Sequence, residues 1–312
     1  MFSLNATLPV FLVIVLGWFL MQKKMFNENF VDIINKFVFK VSLPVLLFKD
    51  IATTPIRDAF DPKFVIFCMI GTTIMFMGIW ALTSIFMKDK SMVGAFTQAS
   101  ARGSAAVLGI AFVQNIYGNS GMTPLMIVSA VPLYNIYSVI ILTFCANNQD
   151  HSDKAATIKR AFKNILTNPI ILGIAAGVPF SLLNIELPPL ILKTVTNVAQ
   201  TATPMALLAV GAGFEGRKAI KKLKPTMIAP FIKLVALPAI YFPFAIAMGF
   251  RESALVAILI MVGSPTTVTC YIMAKNMGND GVLSSSIIVM ATLLSSVTLT
   301  FWIFLLKSMG LI

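Results

Sequence analysis

The chain has 312 residues, 58% of them hydrophobic and only 12% charged, with a mean hydropathy of +0.89 and a net charge of +12. A soluble globular domain carries about twice that charged fraction, so the composition excludes a large soluble domain. The basic excess reads as cytoplasmic loops of a membrane protein rather than as a nucleic-acid surface.

Ten apolar blocks follow one another, at 5–22, 29–51, 63–87, 92–116, 122–146, 166–184, 188–212, 226–248, 253–274 and 283–307. Each approaches the ~20 residues that cross ~30 Å of hydrocarbon. The start, MFSLNATLPV, has no basic stretch, so no cleaved signal peptide is expected. The second block contains Asp32, Lys36 and Lys40. Charges alternate between the connections. Lys23 and Lys24, Lys88 and Lys90, the 154–163 stretch, Arg217 to Lys224, and Lys275 fall on one side. Arg57 and Lys63 beside Asp50, Asp58 and Asp61, then Glu186 and an Arg251-Glu252 pair, fall on the other. The positive-inside rule puts the first set in the cytoplasm and both termini outside, in a multi-pass protein of the cytoplasmic membrane. The three cysteines, Cys68, Cys145 and Cys270, have no metal spacing and read as apolar packing residues.

Positions 160 residues apart match without gaps: Pro9 with Pro169, Gly17 with Gly177, Pro44 with Pro204, Gly103-Ser104 with Gly263-Ser264, and the GN-x-G turns at 118–121 and 278–281. About one such coincidence is expected by chance. The reading is an internal duplication, with a first five-helix repeat over 1–149, a connector over 150–165 and a second repeat over 166–312. Five is odd, so the second repeat enters the membrane inverted. Inverted repeats mark secondary transporters, whose sites lie near the midplane on discontinuous helices.

The paired breaks are ARGSAAV in the fourth block and VGSPTTV in the ninth. Each Gly-Ser pair lies about ten residues, or ~15 Å, into its span. Ser264 suits an N-cap and Pro265 a first helical residue, so a half-helix is expected to start there. Helix N-termini meeting at the midplane make an anion site, and Arg102 adjoins one of them. A central arginine is costly and is usually functional or paired, with backbone carbonyls or Asp32 as the structural alternative. The expected binding residues are Arg102, Gly103, Ser104, Gln98, Asn135, Gly263, Ser264, Pro265, Thr266 and Thr267, with Pro44 and Pro204 breaking the second and seventh spans. Tyr134, Tyr137, Asn197 and Gln200 serve equally well as interhelical packing. No acidic residue falls near the midplane, which favours an anionic substrate over a cation.

At SLPVLLF, GAFTQASARGSAAVLGIAF, VPLYNIYSVI, TNPIILGIAAG, TATPMALLAVGAGFE and GSPTTVTCYIMAKNMG the sequence resembles the auxin efflux carrier family, which includes plant PIN proteins and bacterial malonate- or malate-type organic-acid carriers. The resemblance covers essentially the whole chain. It implies an all-α membrane protein of ten transmembrane helices, two inverted five-helix repeats and crossed discontinuous helices 4 and 9, an architecture like that of NhaA and the bile-acid transporters, working as an elevator. The chain lacks the long central loop of plant members, and has Arg102-Gly103-Ser104 where they carry an Asn- and Pro-containing crossing. A small mono- or dicarboxylate is therefore a better fit than auxin. The alternative is a sodium-coupled importer of bile-acid-like or neutral solutes on the same scaffold. No cofactor or metal is expected; coupling to Na+ or H+ is open. The partners are the anion and the bilayer, with a homodimer also compatible and no nucleic acid. The one histidine, His151, lies in the central loop, so Ser-His or metal catalysis in the membrane core is excluded.

Overall fold

A computed structural model describes residues 2–53, 61–146, 154–183 and 185–312; Arg57, Asp58 and His151 lie outside them. Among the described residues the secondary structure is helical, apart from one isolated bridge. In the first half, α1 (Phe2–Gln22) is followed by α2 (Glu28–Phe37), a π-helical turn (Val38–Ser42) and α3 (Leu43–Ala52) in one continuous rod. Next come α4 (Pro62–Phe86), the short α5 (Val93–Ala101) and α6 (Ala105–Tyr117), and α7 (Thr123–Phe144). A basic helix, α8 (Lys154–Leu166), leads to the second half. There α9 (Pro169–Leu182), α10 (Pro189–Gln200), α11 (Ala202–Ala212) and the short α12 (Gly216–Lys221) precede α13 (Leu223–Phe231). A second π-turn (Ile232–Ala236) joins α13 to α14 (Leu237–Ala247), before α15 (Glu252–Gly263), α16 (Thr269–Asn276) and α17 (Gly281–Ser308).

Four of these rods, Pro62–Phe86, Thr123–Phe144, Leu223–Ala247 and Gly281–Ser308, are each long and apolar enough to cross a membrane unaided. Local chemistry sets their ends. Asp61 caps α4 by accepting from the Lys63 and Phe64 amides, and Pro62 fills the first position, where no amide hydrogen is needed. Asn168 and Pro169 start α9 in the same way. Gly118 and Gly278, repeat mates, take left-handed conformations (φ 74° and 69°) that stop the helices before them. Asp280 caps α17 through the Leu283 amide at 3.0 Å and pairs with Lys222. Asp280→Ala removes both, and is expected to cost ~1–2 kcal/mol, read as a lowered melting temperature in detergent.

Apolar burial forms two main cores. One joins α4, α6, α7, α14, α15 and α17; the other joins α1, α2, α3, α9, α11 and α16. Within the second, α1 packs on α11 while α9 packs on α3. The contacts exchange at the 160-residue offset. A Cβ on Gly17 would meet the Leu208 carbonyl oxygen at 2.3 Å, and one on its mate Gly177 would meet the Phe48 carbonyl oxygen at 2.9 Å. Phe48 and Leu208 are themselves mates.

The proline pair behaves differently in the two halves. Pro44 sits in the first turn of α3, directly after the π-turn, and the rod stays continuous. Pro204 follows the turn at Thr201 that separates α10 from α11. The two irregularities touch, since the Ser42 and Thr201 hydroxyls share a 2.8 Å hydrogen bond.

Candidate functional site at the helix crossing

Both Gly-Ser segments interrupt their helices and meet. Arg102 (φ −84°, ψ 117°) ends α5 in an extended conformation, and Ser264 (φ −72°, ψ 153°) ends α15 likewise. The two extended pieces pair antiparallel at Gly103 and Thr266, and the Ser104 amide donates to the Pro265 carbonyl at 2.9 Å. Thr266 Oγ1 donates to the Ala99 carbonyl at 2.7 Å. Part of the backbone freed by each break is thus satisfied by the other chain segment, as the interior of a bilayer requires.

One expectation is corrected. Ser264 does not cap a helix starting at Pro265; it is the C-cap of α15, and the second half-helix starts at Thr269 after Val268. Pairing with residues 103–104 holds residues 265–266 extended, which overrides the local Ser-Pro signal. The N-termini of α6 and α16 nevertheless open onto one cavity. It is lined by Ser104, Pro265, Thr266, Thr267 and Val268 from the crossing, Thr203 and Leu207 from α11, Val10 and Leu108, and Thr292 from α17. Neither Ser104 nor Val268 caps its helix with a side chain. The cavity therefore faces two positive helix ends and five hydroxyl-bearing residues. Its volume of about 40 Å³ admits about three waters or one carboxylate group.

Arg102 is outside that cavity, one extended residue before Gly103. Its side chain is buried, donating from Nη2 to Asn135 Oδ1 at 2.8 Å and from Nη1 to Met273 Sδ at 2.7 Å. Gln98 Nε2 shares Met273 Sδ at 3.4 Å, and Gln98 Oε1 is buried without a partner. Among the described residues no carboxylate pairs with Arg102, and no Asp or Glu is buried. Asp32 pairs instead with Lys275 at 2.7 Å, where both are partly exposed. The expected residues thus divide into a polar cluster (Arg102, Gln98, Asn135) and a cavity lining (Ser104, Pro265, Thr266, Thr267). Gly263 packs on Pro238, and Ser264 is fully buried facing Gly103. Tyr134 donates to the Met261 carbonyl at 2.8 Å and Tyr137 meets Thr73 at 2.9 Å, whereas Asn197 and Gln200 are exposed.

Three participants escape the sequence reading. Thr203 lies in the first turn of α11, just after the turn at Thr201, and Thr292 comes from the uninterrupted α17. Lys233, in the π-turn between α13 and α14, is fully buried and donates to the Ala101 carbonyl at 2.8 Å and the Met261 carbonyl at 3.0 Å. Those carbonyls end the first half-helices, α5 and α15, so one lysine amine faces both negative helix ends. The π-turn aims Lys233 inward, and the buried Leu234 carbonyl in the same turn accepts from Trp302 Nε1 at 2.9 Å. A lone lysine in an apolar run was the available signal.

The family described as membrane transport protein matches residues 2–303. The chain belongs to that family. This agrees with the auxin efflux carrier resemblance and makes it a transport protein rather than an enzyme. A protein of Rhizobium meliloti named "Putative malonate transporter" is 24% identical over 96% of this chain and 95% of its own length. An "Uncharacterized transporter" of Methanothermobacter thermautotrophicus is 22% identical over 96% and 97% of the two chains. The "Uncharacterized transporter YfdV" of Escherichia coli is 23% identical over 76% of each.

Proposed function

We propose that this membrane transporter carries small organic anions, mono- or dicarboxylates, and holds them at the crossing of the fourth and ninth spans. The observation that carries the reading is the cavity onto which two helix N-termini without side-chain caps open, lined by five hydroxyl-bearing residues of which Thr266 and Thr292 already donate to backbone carbonyls, beside a buried guanidinium that has no carboxylate partner among the described residues. Aligned amide dipoles and hydroxyl donors suit a carboxylate oxygen, and the net positive field in a water-poor site disfavours a cation. The malonate in the relative's name is consistent with this class.

The same reading takes the chain as ten spans, with α2–α3, α10–α11 and α13–α14 counting as one each and with spans four and nine interrupted. The exchanged packing of Gly17 on Leu208 and Gly177 on Phe48 supports two repeats related by a two-fold axis in the membrane plane. Both termini then lie outside the cytoplasmic membrane. The cavity lies between the α1–α11 pair and the crossing, where elevator movement of the crossing bundle past α1 and α11 would carry its contents from one side to the other.

The test is flux into proteoliposomes with a panel of mono- and dicarboxylates including malonate, with and without sodium. Saturable, mutually competitive carboxylate uptake is the expected result. Sodium-dependent flux of a neutral or bile-acid-like solute, unaffected by carboxylates, would replace this reading with the alternative on the same scaffold.

A further inference from the structure

Lys233 plays no part in the anion cavity, yet it is the most deeply enclosed charged side chain described. It is wholly buried, and no carboxylate pairs with it among the described residues. Its two partners are the Ala101 and Met261 carbonyls. Beside it, Ser264 Oγ is also buried and has no hydrogen-bond partner. Gly103 fixes the relation between them. A Cβ on Gly103 would lie 3.1 Å from Lys233 Nζ and 2.3 Å from Ser264 Oγ, so amine and hydroxyl flank one methyl-sized space.

We propose that Lys233, with Ser264, binds the proton that travels with the transported anion. The two carbonyl bonds serve both protonation states. A neutral amine has two N–H groups, which match the two carbonyls. An ammonium keeps both, and its third N–H gains an acceptor when the unpartnered Ser264 hydroxyl swings across the space beside Gly103. The step is one proton taken from solvent onto the amine nitrogen, with no other bond made or broken. An uncompensated ammonium in the membrane interior is expensive, and the arriving carboxylate supplies the missing negative charge. The charged or titratable groups around Lys233 are Arg102 from the fourth span, Tyr134 from the fifth (donor to the same Met261 carbonyl) and Cys270 from α16. The last span contributes Trp302, which does not titrate. None of these supplies a carboxylate, so the anion and the proton each lower the cost of binding the other. By linkage that favour is reciprocal.

The inference rests on the anion reading, and the experiment separates the two. The purified full-length protein in weakly buffered detergent at pH 8 is titrated with the carboxylate panel, following heat of binding and the colour of a pH indicator together. All carboxylates are fully ionised there. The expected result is about one proton taken up per anion bound, with wild-type affinity strengthening close to tenfold for one pH unit of acidification. Lys233→Arg, whose guanidinium stays protonated, is expected to bind the anion with no proton uptake and less than a twofold change over the same unit. Lys233→Met, permanently neutral, replaces it if the arginine variant does not fold and is likewise expected to take up no proton. Anion binding by wild type without proton uptake overturns the inference and leaves the anion reading standing, as does wild-type uptake in either variant. If no carboxylate binds, both fall.

Discussion

Replacing Arg102 by methionine is expected to weaken carboxylate binding about 30-fold without lowering the melting temperature. Arg102 stands two residues before Ser104, the N-cap at the cavity, and two extended residues span ~7 Å. The guanidinium itself turns to Asn135 and Met273, and a unit charge ~8–10 Å from a bound anion, in an effective dielectric of ~20, contributes roughly 2 kcal/mol, about 30-fold in Kd. Stability responds differently, because among the described residues the guanidinium donates to Asn135 Oδ1 and Met273 Sδ and to no carboxylate. Methionine has similar length and removes an uncompensated buried charge, a relief that offsets the ~1–3 kcal/mol of leaving Asn135 Oδ1 without its donor. If Arg102 is merely a clamp between α5, α7 and α16, the outcome reverses: the melting temperature falls by several degrees and carboxylate affinity of the remaining folded protein is unchanged. Calorimetric titration and a thermal melt on the same preparation decide between them.

How much of this could be read from residues depends on whether the cause is local. Apolar blocks bounded by Asp61-Pro62, Asn168-Pro169, Gly118 and Gly278 carry their own start and stop chemistry, so the rods fall within a few residues of the expected limits. The interruption at ARGSAAV has no proline to force it. It exists because Thr266 and Pro265 bring backbone partners from 160 residues away. The same pairing moved the start of α16 past the Ser264-Pro265 signal to Thr269. Asp32, an acid within an apolar block, looked available to Arg102, but the turn it occupies on α2 faces Lys275 near the end of α16. Lys233 was hidden for a related reason: only the π-turn and the crossing together give the lysine in FIKLVALP two carbonyls to serve. Chemistry that depends on two distant segments meeting is not written in either segment.

Gly211→Ala carries the largest expected loss of stability, and its size follows from what the new methyl would strike. A Cβ there lies 1.9 Å from the Ile14 carbonyl oxygen and 2.9 Å from the Trp18 amide nitrogen, both backbone atoms of α1 that no rotamer change can move aside. The α1–α11 pair must separate along its length. Overpacking of this kind costs ~1–3 kcal/mol or more, and ~3 kcal/mol is roughly 6–12 °C of melting temperature for a chain of this order. The same contact geometry ranks a series. Gly17→Ala, at 2.3 Å from the Leu208 carbonyl oxygen, is expected to lose less, and Gly177→Ala, at 2.9 Å from the Phe48 carbonyl oxygen, less again. Gly78 on α4 has nothing within 4 Å, so alanine there is expected to be neutral or slightly stabilising through helix propensity alone. Thermal melts of the four purified variants test the order, and a Gly211 variant melting with wild type would mean that α1 and α11 do not pack at this distance. The consequence extends to the proposed binding site, because Val10 on α1 and Thr203 and Leu207 on α11 form one wall of the cavity at the crossing. Widening that pair alters the wall as well as the fold, so any Gly211→Ala protein that survives purification is expected to bind carboxylate more weakly than Gly177→Ala, whose contact lies in the α9–α3 pair that contributes no cavity residue.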